Sequence, residues 1–154
     1  MSAVLKQAVP RITAMTEAAL GQVVRIENAI YEFPWTLGNF RDSLAAGYGC
    51  WLYEQSEELI GYAVVMHALD EAHLLNLSVA GPAQRRGHGR QLLDLISHLA
   101  QQNGARSMLL EVRPTNLPGR QLYAQAGFAQ VGLRRSYYPA RGGREDALVL
   151  SRTL

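Results

Sequence analysis

The chain has 154 residues, of which 48% are hydrophobic and 18% charged, as is typical of a globular protein rather than a disordered or membrane-spanning one. Its net charge of +2 is too small to indicate a nucleic-acid-binding or membrane-binding surface. No apolar run approaches the roughly 20 residues of a membrane helix, and the N-terminal segment lacks the apolar core of a signal peptide. The single Cys50 excludes an internal disulfide. We therefore expect one domain over residues 1–154, in a reducing, cytoplasmic setting.

The first half of the chain predicts one strand, two helices and then three strands. A short strand at 11–17 is followed by apolar residues at helical spacing, from about Ala18 to Ile30. Thr36 is a suitable N-cap for a short second helix that reaches Ala45. The segments 50–54, 59–67 and 72–79 are rich in β-forming residues and are separated by polar turns, so they predict three antiparallel strands.

The second half predicts the longest helix of the chain and a closing pair of strands. This helix begins at Gly87 and ends at Asn103-Gly104, with its apolar residues on one face. A strand at 107–112 and a helix from Pro118 to Ala126, capped by Gly127, follow. Strands at 129–137 and 146–151 flank a loop at 139–144. This order of elements predicts a mixed α/β sheet.

The segment Gln84-Arg85-Arg86-Gly87-His88-Gly89 connects a predicted strand to the long helix. Backbone N–H groups and the helix dipole favour a bound anion at such a position, and glycine lets the backbone approach it closely. The segment lacks the Gly-Lys-Ser/Thr ending of a nucleotide P-loop and the third glycine of a dinucleotide fingerprint. Taken alone, it fits a solvated basic turn at least as well as a ligand site.

The pattern Gln/Arg-x-x-Gly-x-Gly/Ala resembles the acetyl-CoA motif of the GCN5-related N-acetyltransferases, the GNAT superfamily. Further along, Asn116, Tyr123 and Gly127-Phe128 have the Asn-x6-Tyr-x3-Gly-Phe spacing of that family. The resemblance extends along nearly the whole chain. It implies the GNAT fold, an α/β fold with a mixed central sheet of about seven strands, a splayed fourth strand and about four helices.

The resemblance also implies a site for acetyl-CoA as co-substrate, without a metal. Backbone groups of Leu77, Ser78 and Val79 would pair with the pantetheine arm, and Asn116 would complete the cofactor site. The pyrophosphate would be bound by the backbone amides of Arg85, Arg86, Gly87, His88, Gly89 and Arg90.

Acetyl transfer from a thioester to an amine needs a group that takes the proton of the amine and a group that protonates the thiolate. The resemblance assigns these roles to Glu111, near the end of its strand, and to Tyr123. From the residues alone, Glu111 would rather form an ion pair with Arg113 on the same face of the strand. Tyr123 would rather pack in the core.

Histidine and cysteine offer no further chemistry in this sequence. Cys50 lies in a predicted strand and is interpreted as a small buried hydrophobic residue. The histidines have no metal-ligand spacing, and we expect them to be structural or solvated. They are His67, His73, His88 and His98.

Three further segments resemble the RimI type within the superfamily, the enzymes that acetylate the N-terminal alanine of the eighteenth small-subunit ribosomal protein. These segments are Phe33-Pro34-Trp35, Leu69-Asp70-Glu71-Ala72 with Asn76, and Arg134-Arg135-Ser136-Tyr137-Tyr138-Pro139 with Gly143-Arg144-Glu145-Asp146-Ala147.

The acceptor predicted by this resemblance is a protein N-terminus of a ribosomal protein. An α-amine titrates near 7.7 to 8.0, so it is partly neutral at cellular pH and a modest base suffices. Phe33, Trp35, Tyr137 and Tyr138 are candidates for the acceptor groove, although aromatic packing around a hairpin explains each of them equally well. Two alternatives are an acetyltransferase for lysine or small-molecule amines, and a non-catalytic acyl-CoA-binding module.

Overall fold

A computed structural model describes residues 8–154, which form seven strands and four α-helices. The prediction that no signal peptide is present concerns in part residues 1–7, which lie outside the described residues. The helices are α1 (Leu20–Ile30), α2 (Leu37–Ala45), α3 (His88–Gln102) and α4 (Leu117–Gln125). The strands are β1 (Arg11–Ala14), β2 (Gly49–Gln55), β3 (Glu58–Ala68), β4 (Glu71–Val79), β5 (Ser107–Val112), β6 (Ala129–Ala140) and β7 (Gly143–Thr153).

The strands form one sheet in the order β1-β2-β3-β4-β5-β7-β6, and the predicted mixed sheet is confirmed. Neighbouring strands are antiparallel except β4 and β5, which are parallel. The predicted helices and the three middle strands are present, with small shifts at their ends. Thr36 caps α2 as expected, since its hydroxyl accepts from the backbone N–H of Asn39.

Two boundaries were predicted wrongly. The first strand ends at Ala14, and Glu17 lies in a short 3-10 turn instead. The loop expected at 139–144 is mostly strand, because β6 runs to Ala140 and β7 begins at Gly143. Pro139 suggested a loop, but β6 is an edge strand, where a missing N–H costs no ladder hydrogen bond.

Helices cover both faces of the sheet and form two apolar clusters. On one face, α3 buries Leu92 and Ile96 in the cluster that contains Leu110 of β5. On the other face, Val23 of α1 and Phe40 of α2 are fully buried in a second cluster with strands β2 and β3. Burial on both faces makes the sheet a rigid platform between two helical layers.

The parallel strands β4 and β5 diverge after a few residues. They pair only from Glu71 and Ser107 to Leu74 and Leu110. At Leu75 the pairing of β4 with β3 skips one residue, which is a β-bulge, and bulges bend the strand that carries them. This is the splayed fourth strand that the family resemblance implied. It opens a cleft between 75–79 of β4 and the end of β5.

A buried carboxyl group joins α1 to the sheet near this cleft. Glu27 is 2% exposed and accepts hydrogen bonds from the hydroxyl of Tyr62 at 2.7 Å, the side-chain amide of Asn76 at 3.1 Å and the backbone N–H of Trp35 at 3.0 Å. Asn76 in turn accepts from Ser78 at 2.6 Å. The network fixes the end of α1 relative to the bulged part of β4.

Replacement of Glu27 tests how much its carboxyl group contributes to stability. We expect Glu27→Ala to lower the free energy of unfolding by about 3 kcal/mol or more, since three buried donors lose their acceptor. The matched control is Glu17→Ala, which removes an exposed ion pair with Arg41 and should cost less than about 1 kcal/mol. Urea denaturation of both variants measures the difference, and equal losses would contradict the role of Glu27.

Candidate active site

The connection between β4 and α3 is a tight turn with unusual backbone angles. Residues 81–83 form a 3-10 turn, and the side chain of Gln84 donates to the carbonyl of Val79 at 2.9 Å. Gly87, the residue before α3, has φ of +85°, and Arg85 has φ of +61°. Glycine adopts the left-handed region without strain, whereas arginine does so at a cost. Such costs are common at functional turns.

Six consecutive backbone N–H groups at this turn have no acceptor among residues 8–154. They belong to residues 85–90, and the first backbone donor after them is Gln91, which bonds to the carbonyl of Gly87. Three of the six lie in the first turn of α3, where the helix dipole adds a partial positive charge. A run of free donors at a helix N-terminus is suited to bind phosphate oxygens.

Two side chains of this turn, those of His88 and Arg90, contact other parts of the protein. Nδ1 of His88 lies 2.8 Å from the hydroxyl of Tyr53, a buried residue of β2, and this contact anchors the turn to the sheet. The guanidinium of Arg90 donates to Asp94 and to the carbonyl of Gln125 at the end of α4. The structure therefore leaves the backbone of the turn, rather than the Arg90 side chain, available to a ligand.

Glu111 lies where β5 leaves β4, and its side chain is 6% exposed. Its Oε2 is 2.5 Å from Nε2 of His73 on β4, and its Oε1 is 3.0 Å from Nε of Arg134 on β6. The Arg134 contact is an ion pair without hydrogen-bond geometry, so Oε1 is buried and has no donor among the described residues. Oε2 of Glu111 is thus hydrogen-bonded to His73, whereas Oε1 has only the ion-pair contact with Arg134.

The surroundings of Glu111 keep it ionised. Burial alone would raise its pKa, but the contacts and charges of His73 and, to a lesser extent, of Arg134 outweigh burial and lower the pKa. The alternative that Glu111 pairs with Arg113 is wrong. Arg113 pairs with Glu145 of β7 at 3.2 Å instead.

Tyr123 lies on α4 and contacts the apolar cluster beneath α3 and α4. Its ring packs edge-on against Phe128 at 5.7 Å between centroids, so the alternative of core packing is partly met. Its hydroxyl has no hydrogen-bond partner among residues 8–154. Burial raises the pKa of Tyr123, and the charges that Tyr31 and Tyr138 would carry on ionisation raise it further. The hydroxyl therefore keeps its proton at neutral pH.

Tyr31 reaches the same region from the end of α1. Its hydroxyl lies 2.6 Å from the hydroxyl of Ser78, beside the carbonyl of Leu77, on the part of β4 that β5 does not cover. Burial raises the pKa of Tyr31 to about 12. The predicted cofactor-binding residues of β4 thus lie at the open edge of the cleft, with a neutral tyrosine beside them.

Asn116 is the N-cap of α4. Its side-chain oxygen accepts from the backbone N–H of Gly119 at 3.1 Å, and a Cβ at position 119 would lie 2.5 Å from the Asn116 amide nitrogen. A larger residue at position 119 would displace the Asn116 side chain from this cap, and the helix begins regularly despite Pro118. A contact between Asn116 and a cofactor stays a prediction.

Two of the predicted groove aromatics enclose an arginine. The guanidinium of Arg113 lies 4.4 Å from the ring centre of Tyr138 and 5.4 Å from that of Phe33. Tyr137, 43% exposed, packs against Tyr138 with ring centres 4.9 Å apart. Trp35 instead packs 5.2 Å from Phe40, against the second apolar cluster. The structure brings three of the four together, whereas Trp35 lies in the connection before α2 and packs on that helix.

A bulge in β6 presents the two tyrosines. Between Arg134 and Tyr138, three residues of β6 lie opposite the single residue Asp146 of β7, and Ser136 has φ of +52°. The side chains of β7 hold this bulge, because Arg144 donates to the carbonyls of Ser136 and Tyr137 and Asp146 accepts from the N–H of Ser136. The motif Gly143–Ala147 is thus a support for the segment 134–138.

Other expectations can be placed briefly. Cys50 is buried at 6% exposure, as interpreted from the sequence. Within residues 8–154, no three His, Cys, Asp or Glu side chains are grouped closely enough to hold a metal ion. None of the helices described is long and apolar enough to span a membrane.

Comparisons with known proteins agree with this arrangement. Residues 20–128 match the model of the acetyltransferase (GNAT) family. The chain belongs to the GNAT family of acetyltransferases. Its enzymes take the acetyl group from acetyl-CoA. The expected fold and the expectation of an acetyltransferase are therefore confirmed.

Individual relatives share most of their length with this chain. The [ribosomal protein bS18]-alanine N-acetyltransferase of Escherichia coli strain K12 is 32% identical over 140 residues, 91% of this chain and 95% of the relative. The enzyme of the same name from Haemophilus ducreyi is 32% identical over 141 residues, 91% and 97% of the two chains. A crystal structure of the ribosomal-protein-S18-alanine N-acetyltransferase from Escherichia coli superimposes with a TM-score of 0.87 at 31% identity, covering 94% of each chain. The resemblance to the RimI type is confirmed.

Sequence reasoning missed His73, Arg134 as a partner of Glu111, and Tyr31. The contact of His73 with Glu111 depends on the parallel register of β4 and β5, which places His73 opposite Leu109. A single sequence gives no direct signal for that register. Arg134 was noticed as part of a motif, but the motif does not indicate which residue it faces.

Proposed function

We propose that this enzyme transfers the acetyl group of acetyl-CoA to the N-terminal α-amine of a protein, with the N-terminal alanine of ribosomal protein bS18 as its main acceptor. The observation that carries the proposal is the placement of Glu111. Its carboxylate lies where β4 and β5 diverge, and its negative charge raises the pKa values of Tyr137 and Tyr138 on the adjoining hairpin. The relatives that match along nearly their whole length are alanine N-acetyltransferases of ribosomal protein bS18, which supports the choice of acceptor.

The proposed acetyl-CoA site runs along the open edge of β4 to the N-terminus of α3. Backbone groups of residues 77–79 would pair with the pantetheine arm, since no strand covers them on the β5 side. The pyrophosphate would lie against the free N–H groups of residues 85–90, which combine six donors with a helix dipole. The thioester would then reach the cleft between Glu111 and Tyr123.

The proposed proton transfers balance with two side chains. The carboxylate of Glu111 takes the first proton of the α-ammonium and passes it to water, and the neutral amine attacks the thioester carbonyl carbon. As the C–S bond breaks, Tyr123 gives its proton to the CoA thiolate. The second amine proton, lost as the amide forms, restores the Tyr123 hydroxyl. A tyrosine that stays protonated and a carboxylate that stays ionised suit these roles.

The charge of the acceptor side fits a peptide end better than a polycation. Its wall carries Arg113 and Arg134, and Glu145 is already paired with Arg113. The aromatic faces of Phe33, Tyr137 and Tyr138 can contact a short peptide. Glu111 is then the buried carboxylate that an incoming ammonium group would meet.

The acceptor can be tested with peptides and intact-mass measurement. We expect acetylation of a peptide with the N-terminal sequence of bS18 that begins with alanine, and at least about tenfold slower acetylation when methionine precedes it, since a longer first side chain must fit the same groove. The same peptide with a blocked N-terminus and free lysines should remain unmodified. Acetylation of the lysine peptide alone would overturn the proposed acceptor.

The cofactor turn can be tested with a matched pair of glycine variants. Gly87→Ala places a side chain at φ of +85°, so the amides of the turn must reorient, and we expect acetyl-CoA affinity to fall about tenfold. Gly81→Ala is the control, because position 81 lies in the same connection, has open space and has no left-handed angle. Calorimetric titration with acetyl-CoA measures both, and equal affinities would argue against the turn.

The proposed acid can be tested by removing one hydroxyl group. We expect Tyr123→Phe to lower kcat about 100-fold while acetyl-CoA affinity changes less than about twofold, because the ring still packs on Phe128. Tyr48→Phe is the control, since Tyr48 packs against the second apolar cluster. Steady-state kinetics with an alanine peptide measures the effect. Unchanged turnover of Tyr123→Phe would remove Tyr123 from this role.

A further inference from the structure

We propose that His73 is a positioning residue for Glu111, which fixes the orientation of the carboxylate at the point where β4 and β5 diverge. The proposal rests on the proposed function, in which Glu111 accepts the proton of that amine. It assigns a role to a residue of β4 that lies outside both the cofactor turn and the acceptor hairpin.

The contact is determined by the sheet. His73 lies opposite Leu109 in the parallel pairing of β4 with β5, so His73 and Glu111 are diagonal neighbours on one face. Their side chains meet at the last point where the two strands are still joined, immediately before the cleft opens. Both are largely buried, with side-chain exposures of 16% for His73 and 6% for Glu111.

The direction of the hydrogen bond follows from the state of the carboxyl group. The pKa of Glu111 is lowered, so its oxygens carry only lone pairs at neutral pH. The hydrogen must therefore reside on Nε2 of His73, which donates to Oε2. Rotation of the carboxylate would break this bond, and the contact thus holds Oε1 in place.

The two oxygens of Glu111 therefore differ. Oε2 is occupied by His73, whereas Oε1 is buried and has only the ion-pair contact with Arg134, which is not a hydrogen bond. A buried acceptor without a donor is uncommon and calls for a ligand or a function.

The groups around the pair are defined. On β6 they are Arg134, which remains charged, and Tyr137 and Tyr138, whose pKa values are raised by burial, so that both stay neutral. Arg113 and Glu145 pair with each other nearby. Tyr123 of α4 keeps its proton because its pKa is raised. These groups, with His73 itself, are the charged and titratable neighbours of Glu111.

Two substitutions at His73 distinguish the loss of its hydrogen-bond donor from the loss of its packing. His73→Leu fills the space without a donor, and we expect kcat to fall about tenfold while KM for acetyl-CoA changes less than about twofold. His73→Gln keeps an amide N–H near Oε2, and we expect it to recover most of the lost kcat. Kinetics with an alanine peptide measures both. The control is His98→Leu, an exposed histidine on α3, which should have wild-type activity.

The pH profile gives a readout that packing alone would not change. Without the hydrogen bond and charge of His73, the effect of burial on Glu111 is compensated less, so the pKa of Glu111 rises. We expect the acid limb of the kcat/KM profile of His73→Leu to move to higher pH, and its deficit to grow as pH falls. Carbon NMR of the Glu111 carboxyl group measures the same shift without activity.

The double variant with Glu111→Gln distinguishes this inference from the proposed function. We expect His73→Leu to have no further effect once Glu111 is replaced, since it acts through that carboxylate. Full activity of Glu111→Gln would overturn the proposed base. An impaired Glu111→Gln with an unimpaired His73→Leu would overturn the positioning role alone. Equal losses in His73→Leu and His73→Gln, or a pH-independent deficit, would also overturn it.

Discussion

The divergence of β4 from β5 is the constraint on which the rest of the site depends. Four residue pairs hold the strands together, and the bulge at Leu75 then turns β4 away. The backbone of β4 beyond this point lacks a strand partner on one side, which is costly for a buried edge unless another extended chain covers it. The fold thus creates a place for a strand-like ligand, and β4 leads directly into the turn with free N–H groups at α3.

Where β4 and β5 diverge, neighbouring side chains compensate the buried charge of Glu111. A carboxylate as buried as Glu111 would be unstable without partners, and His73 and Arg134 supply them from the strands β4 and β6. A second buried carboxyl group, Glu27 of α1, is satisfied by three neutral donors. The first arrangement leaves an oxygen without a hydrogen bond and the second does not, which separates a site that can react from one that only supports the fold.

Most of the fold could be predicted from the sequence because local signals agreed. Helix periodicity, the Thr36 cap and the glycine after α3 each marked an element that the structure contains. The end of β6 was missed because the effect of Pro139 depends on whether the strand lies at an edge, which is a property of the whole sheet. The partners of Glu111 were missed for the same reason, since His73, Glu111 and Arg134 come from three strands whose register no local pattern encodes.

In the turn at the start of α3, the backbone and the side chains have different roles. Its free donors are peptide N–H groups, which every residue except proline possesses, while the imidazole of His88 ties the loop to Tyr53 and Arg90 ties it to α4. The side chains of residues 88 and 90 can therefore change to whatever best holds the loop without altering the N–H groups that face an anion. Gly87 lacks that freedom, since its left-handed conformation aims the donors. The conformation of the main chain at this turn, rather than its side chains, would thus recognise the anion. The side chains of His88 and Arg90 hold the main chain in that conformation.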